Sequence, residues 1–274
     1  MTTPKHTSHS AVNAFTRCGK AYELRKVLKF PEPPAWYLIA GSAIHTATEL
    51  WDRGQGASPS ELFIEAFQDE IERARADWPD DSQWLAAGYG HAKQTYAHWF
   101  TRGQDYLEQW ASTSFPGTLV AVELDVSTVL PSGLEVKGFV DRLYRTGKTT
   151  YEVWDLKSGS RRPDSDQQLG MYSVLVDLWL NRNAYTRDPV HRGITAANYM
   201  FKDGYAHVVD TSAWTLATVD QLAQAWVRGV ENRVFLPVRS ADCNRCSVAD
   251  ACYLQSGDTP VTRLYDNLNP NKDK

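Results

Sequence analysis

The segment Val153–Gly159 reads Val-Trp-Asp-Leu-Lys-Ser-Gly, which is typical of a short buried strand that ends in a turn. Side chains along a strand point alternately to its two faces, so Asp155 and Lys157 share one face and Trp154 and Leu156 share the other. Taken alone, an acid and an amine at the end of a strand are also typical of a solvated ion pair. The neighbouring segments decide between that interpretation and a catalytic one.

Two further strands precede this one, and short turns separate the three. The pattern predicts strands over 119–129, 135–144 and 149–157, which together form an antiparallel meander. The middle strand carries Asp141, which approaches Asp155 if the two strands pair. Two converging carboxylates need a counter-charge, and a divalent cation with oxygen ligands supplies it. Glu123, on the strand before, is a further candidate for the same acidic surface.

Helical patterns surround these strands. They predict helices over 10–26, 39–51, 58–78, 82–110, 165–180 and 218–232, and two more strands over 197–202 and 207–210. The 274 residues are 42% hydrophobic and 23% charged, which excludes a disordered, collagen-like or coiled-coil chain. The net charge of −4 excludes a uniformly basic nucleic-acid coat protein, although a local basic groove is compatible with it.

Four cysteines form a second distinctive pattern. Three of them lie within ten residues near the end of the chain, and the fourth, Cys18, lies on the predicted first helix. The sequence has no apolar run long enough to cross a membrane and no apolar signal segment, so a cytoplasmic protein without a membrane partner is expected. In a reducing compartment such cysteines are expected to bind a metal rather than form disulfides. Zinc and an iron–sulfur cluster suit four thiolates equally by ligand count; the four are Cys18, Cys243, Cys246 and Cys252.

The spacing Gly138-x-x-Asp141, Asp155-x-Lys157 and Gln168-x-x-x-Tyr172, together with Gly41–Glu49 around His45, resembles the RecB-like branch of the PD-(D/E)XK nucleases. This resemblance implies an α/β fold in which helices flank a mixed central sheet. It implies Mg²⁺ or Mn²⁺ bound by the side chains of His45, Asp141 and Asp155 and by the backbone carbonyl of Leu156. It also implies a catalytic set that comprises Asp141, Asp155, Lys157, Gln168 and Tyr172.

The cysteine pattern is similar to that of a subset of these nucleases, the AddB-type domains and the CRISPR-associated adaptation exonucleases. The resemblance implies a [4Fe–4S] cluster that joins the first helix to the C-terminal segment, with Zn²⁺ as the alternative occupant. In that subset proline commonly follows the first cysteine, whereas Gly19 follows it here.

These observations predict a single nuclease domain over 1–274, with a helical part (8–115), a nuclease core (116–235), a cysteine segment (236–256) and a tail (257–274). The predicted activity is exonuclease cleavage of single-stranded DNA or duplex ends in recombination, repair or CRISPR-type adaptation. The alternative is a catalytically silent protein that binds DNA ends. The chain has no complete phosphate-binding loop, so candidate protein partners are a helicase, an annealing protein or a CRISPR integrase. The predicted DNA contacts are Arg142, Arg161 and Arg162.

Overall fold

A sheet of five strands and the helices packed on it form the larger of two units in the computed structural model of the chain. This unit consists of Pro34–Val129 and Lys137–Val219, and the smaller unit consists of Met1–Pro33, Leu130–Val136 and Asp220–Lys274. The structure describes residues 4, 6–56, 58–87, 93–182 and 193–254. The predicted tail over 257–274 lies outside these residues.

The elements follow the predicted order of helices, strands and helices. The helices are α1 (His9–Arg17), α2 (Gly19–Tyr22), α3 (Trp36–Asp52), α4 (Pro59–Asp77), α5 (Tyr96–Ala111), α6 (Gln167–Arg182) and α7 (Leu216–Glu231). The strands are β1 (His6–Ser8), β2 (Thr118–Asp125), β3 (Thr128–Val129), β4 (Glu135–Lys137), β5 (Phe139–Arg145), β6 (Thr150–Lys157), β7 (Gly193–Met200) and β8 (Tyr205–Val209).

The larger sheet has the strand order β2-β5-β6-β7-β8. The β6–β7 pair is parallel and the other neighbours are antiparallel. Helix α6 connects the two parallel strands, because parallel neighbours need a crossover rather than a tight turn. The predicted α/β class, with a mixed sheet and flanking helices, is confirmed.

The alternation within β6 separates the two faces of this sheet. Trp154 and Leu156 are buried in a core built with α3, α4 and α5, which also includes Trp110 and Tyr199. Asp155 and Lys157 point to the opposite face, where Gln168 of α6 contacts both of them. The strand therefore presents its polar side chains to α6 and its apolar side chains to the helical layer.

The predicted first helix is wrong in two respects. It begins at His9, with Ser8 as its N-cap, rather than at residue 10, and it breaks at Cys18, which has an extended backbone (φ −164°, ψ 103°). The Cys18 thiol accepts a hydrogen bond from the Ala21 amide, so this residue ends α1 and caps α2. A π-helical turn follows over Glu23–Val27.

The predicted helix over 82–110 begins at Tyr96 rather than at Ser82. The backbone of Leu85 donates to Pro34 and accepts from Trp36, so it forms a parallel bridge instead of helical hydrogen bonds. Asp80 caps a short 3₁₀ turn over Asp81–Gln83 just before this bridge. Competing backbone partners thus override a helical pattern in the sequence.

The smaller unit has its own apolar core, in which Val12 and Tyr22 pack with Trp226 and Phe235. Gly19 lies against the backbone of Leu236, whose nitrogen would be 2.9 Å from any Cβ atom at that position. The close approach explains why glycine suits the position after the first cysteine, since a larger residue would displace the segment that carries the other cysteines.

Candidate functional site

The site is built where the ends of β5 and β6 meet α3. His45 Nδ1 lies 3.6 Å from Asp141 Oδ1, and His45 Nε2 lies 3.1 Å from the carbonyl oxygen of Leu156. The Leu156 amide donates to Asp141 Oδ2 at 2.6 Å. Three of the predicted ligands, two side chains and one carbonyl group, are therefore brought together by neighbouring elements of the larger unit.

Glu123 of β2 completes this group. Ligand atoms of His45, Glu123 and Asp141 all lie within 4.8 Å of one another, and no other such set of histidine, cysteine or acidic groups occurs in the described parts of the chain. Glu123 Oε1 is buried and accepts no hydrogen bond from any described residue. One imidazole, two carboxylates and a carbonyl oxygen are donors that suit Mg²⁺ or Mn²⁺, so the residues present fit the predicted cation.

The sequence made Glu123 a candidate for the acidic surface but not for a metal ligand, because its position beside Asp141 depends on strand register. Val122 pairs with Arg142 and Leu124 pairs with Val140, which places Glu123 opposite Asp141. Glu123 also has a left-handed backbone (φ 49°), an unfavourable conformation for a residue with a side chain. Such strain is found mainly at functional sites. Burial, and then the charge of Asp141, raise the pKa of Glu123 to about 7.

Asp155 lies outside that three-residue group. Its carboxylate is 2.5 Å from Lys157 Nζ and accepts a 2.7 Å hydrogen bond from Gln168 Nε2. Lys157 Nζ in turn donates to Gln168 Oε1 at 2.9 Å, and Gln168 Nε2 lies 3.5 Å from the Tyr172 hydroxyl. The four predicted residues Asp155, Lys157, Gln168 and Tyr172 thus form one network. Burial raises the pKa of Asp155 to about 6, although the charge of Lys157 opposes that shift.

Arg142 was predicted to contact DNA, but its side chain is fully buried. Its Nε lies 2.5 Å from a carboxylate oxygen of Asp52 on α3. It also donates to the carbonyl oxygen of Asp141, lies 3.5 Å from Glu123 and stands over the Trp110 ring at 5.5 Å. A side chain without exposed surface cannot reach a phosphate, so the structure does not support a DNA contact there. Arg142 instead stabilises the strand that carries Asp141, because it bonds both the Asp141 carbonyl oxygen and Asp52 of α3.

An open cleft of about 470 Å³ gives access to the acidic group. His45 and Glu123 line it together with Gly41, Glu49 and Ser158. The residues of α3 that carry the predicted motif therefore face the cleft. Arg161 and Arg162, the other predicted DNA contacts, are exposed on the segment that follows β6.

The four cysteines gather in the smaller unit and are not joined in disulfides. All of them line one cavity of about 30 Å³ whose other walls are mostly apolar. The Cys18 thiol accepts from the Val238 amide, and Arg25 Nη2 lies 3.7 Å from the Cys246 sulfur. Burial raises the pKa of the Cys246 thiol. Their sulfur atoms do not form a group of three within 4.8 Å of one another.

Comparison with known proteins identifies the family. A sequence model of the PD-(D/E)XK nuclease superfamily matches residues 6–253, which include all the site residues above. The chain belongs to this superfamily. It is also similar to the Gene 69 protein of Mycobacterium phage D29, at 25% identity over 267 residues that cover 89% of this chain and 95% of that protein. The Gene 69 protein of Mycobacterium phage L5 is 26% identical over 204 residues, or 62% of this chain and 69% of the phage protein.

Metal affinity is expected to depend on pH through Glu123. Below its pKa of about 7 this carboxyl group holds a proton, which competes with the cation, so Mn²⁺ affinity falls as the pH is lowered from 8 to 6. Glu123→Gln is expected to weaken Mn²⁺ binding about tenfold or more and to flatten this pH dependence. Calorimetric titration with Mn²⁺ measures both effects.

Glu49→Gln is the matched control, because Glu49 lines the same cleft but pairs with Arg53 and lies outside the group. An unchanged affinity and pH profile in Glu123→Gln would remove this residue from the metal site.

Proposed function

We propose that this protein is a metal-dependent DNA exonuclease of the RecB-like type. The observation that carries the proposal is the position of the His45–Glu123–Asp141 group, half-buried at the cleft, next to the Asp155–Lys157 pair. Membership of the PD-(D/E)XK nuclease superfamily supports phosphodiester hydrolysis with DNA as the substrate.

Each residue of the site has a defined role in this proposal. His45, Glu123, Asp141 and the Leu156 carbonyl would hold the cation, and Asp155 would join them when its contact with Lys157 opens. A bound divalent cation polarises the phosphodiester and lowers the pKa of a bound water molecule. Lys157 orients the attacking water and offsets negative charge on the phosphate oxygens. Gln168 positions Lys157 and Asp155 by hydrogen-bonding to both, and Tyr172 positions Gln168 through its hydroxyl group.

The exonuclease mode and a role in recombination, repair or CRISPR-type adaptation rest on the RecB-like pattern around His45, and the two similar proteins, both from phages, fit a phage nuclease. A helicase, an annealing protein or a CRISPR integrase are the partner classes compatible with a nuclease that has no phosphate-binding loop. The intact Asp155–Lys157–Gln168 network favours an active enzyme over a silent DNA-end-binding protein, because a protein that only binds ends does not need it.

The mode is tested with linear and circular single-stranded DNA of the same sequence. In Mn²⁺ the protein is expected to shorten the linear strand from its ends and to leave the circle intact. Cleavage of the circle at a comparable rate would show an endonuclease and refute this part of the proposal.

We also propose that the four cysteines bind a [4Fe–4S] cluster. Four thiols that line one cavity suit a [4Fe–4S] cluster or Zn²⁺ equally by ligand count, and the similarity of the cysteine pattern to that of the iron–sulfur nucleases favours the cluster. The apolar walls formed by Leu24, Val238 and Val248 would shield such a cluster from water.

Replacing Cys246 by alanine is expected to abolish stoichiometric iron binding and to lower the melting temperature by about 5 °C or more, since the cluster would no longer stabilise the smaller unit. Iron analysis and thermal melting of anaerobically purified protein measure these changes. Asp250→Asn, an exposed substitution in the same segment, is the control. Unchanged iron content and melting temperature in Cys246→Ala would refute the cluster. A colourless wild-type protein that contains zinc would also refute it and would show that the cysteines bind Zn²⁺ instead.

A further inference from the structure

The polar row that contains the catalytic residues continues across the sheet to its far edge. Asp155 pairs with Asn198 on β7, and Asn198 pairs with His207 on β8. The next row pairs Lys157 with Met200, and Met200 with Tyr205. Because directly opposed residues of a sheet share a face, Tyr205 and His207 lie on the face that carries Asp155 and Lys157. Two strand spacings of about 4.8 Å put β8 about 10 Å from β6.

Tyr205 is an exposed ring at this edge. It is 57% exposed, and its ring centroid lies 4.3 Å from that of His207. A large aromatic side chain exposed beside a nuclease site is suited to stack on a nucleic-acid base, which every base allows through its π-face. His207 supports the ring from one side and leaves its other surface accessible.

Arg162 is held beside the same ring pair. Its Nη1 donates to His207 Nδ1 at 3.2 Å, and His207 Nε2 donates to Asp203 at 2.7 Å. Because a guanidinium only donates hydrogen bonds, this contact uses one of the five N–H donors of Arg162. Arg161 and Lys202 are exposed nearby in the chain and add positive charge. A phosphate backbone complements this charge.

We propose that Tyr205 and Arg162 form a binding site for an unpaired nucleotide of the DNA strand that enters the catalytic site. The base stacks on Tyr205 and its phosphate contacts Arg162, about two strand widths from Lys157. This inference rests on the proposed nuclease function and adds to it a preference for single strands. A duplex end has to open before it occupies this site, because its bases are already stacked on one another.

Binding without catalysis tests this site. Fluorescence anisotropy with a labelled oligo(dT) strand and with a blunt duplex is measured in EDTA, so that cleavage plays no part. Tyr205→Ala is expected to weaken binding of the single strand about fivefold or more and to leave duplex binding unchanged. Tyr205→Phe, which retains the ring, is expected to bind as wild type does.

Arg162→Gln is expected to reduce the slope of log affinity against log salt by about 0.7, the value for one phosphate contact on a single strand.

Val208→Ala is the matched control, since Val208 is a highly exposed residue of the same strand. Wild-type binding by Tyr205→Ala, or an equal loss for single strand and duplex, would overturn the proposal. So would tighter binding of oligo(rU) than of oligo(dT), or no binding of DNA by the wild-type protein. Cleavage in Mn²⁺ is measured separately, so a protein that binds the strand through Tyr205 but never cleaves it refutes the nuclease function and not this site.

Discussion

Asp155→Asn is expected to lower the rate of DNA cleavage by about a hundredfold or more while the protein stays folded. The substitution keeps the shape of the side chain and an oxygen that accepts from Gln168, but it removes the negative charge next to Lys157. Removing one charged group that acts in the transition state of a hydrolase typically costs a factor of about 10² to 10⁴. End-labelled DNA in Mn²⁺ gives the rate directly.

The melting temperature of Asp155→Asn shows whether a loss of cleavage comes from the active site or from unfolding. Burial raises the pKa of Asp155 to about 6, so the folded protein binds this proton more tightly than the unfolded chain does. The group therefore contributes less to stability as the pH rises from about 4 through 6, and its charge is unfavourable above that range. At pH 8 without metal, the melting temperature of Asp155→Asn is expected to equal or exceed that of wild type.

Asp164→Asn, an exposed acid in the segment after β6, serves as the control and is expected to cleave at the wild-type rate. Wild-type activity in Asp155→Asn would contradict the assignment of the site. A large loss of stability in that variant would instead assign Asp155 a structural role.

Asp52→Ala is expected to destabilise the protein by about 3–5 kcal/mol, because it leaves the fully buried guanidinium of Arg142 without its counter-ion. It also removes the acceptor for the Trp110 indole N–H. Urea denaturation, which gives the free energy of unfolding, measures the loss. The exposed pair Arg75–Asp81 is the matched control, and Asp81→Ala is expected to cost about 1 kcal/mol or less.

The double variant Asp52→Leu with Arg142→Met is expected to recover much of that stability. Burial raises the pKa of Asp52 more than Arg142 lowers it, which means that desolvation of the carboxylate outweighs its attraction to the guanidinium. Apolar side chains of similar size avoid this cost. A double variant as unstable as Asp52→Ala would contradict this account of the ion pair.

Strand alternation and local spacing predicted the strands of the larger unit, whereas the roles of the site residues came from the family resemblance. The Asp155–Lys157 pair could be recognised because both residues lie on one strand, and Asp141 because it lies one hairpin away. The same alternation puts Arg142 on the opposite face from Asp141. Its burial depends on Asp52, which lies ninety residues earlier, so no local pattern indicates it.

The position of Glu123 and the break in the first helix also differ from the prediction, and both depend on features that residue spacing does not show. Glu123 joins the site through a strained backbone and the register of β2 with β5, and neither leaves a signature in the spacing of residues. The helix break at Cys18 depends on the thiol as a cap and on close contact between Gly19 and Leu236. The cap is a single local hydrogen bond and the contact of Gly19 with Leu236 joins distant parts of the chain, and helical periodicity indicates neither.

The most direct test of the central claim is the cleavage rate of an end-labelled single strand by the wild-type protein as Mn²⁺ is titrated. The site of His45, Glu123 and Asp141 predicts no cleavage in EDTA and a rate that rises to a plateau with Mn²⁺. Cleavage that persists at the same rate in EDTA, or a complete lack of cleavage at saturating Mn²⁺ with the site intact, would contradict it.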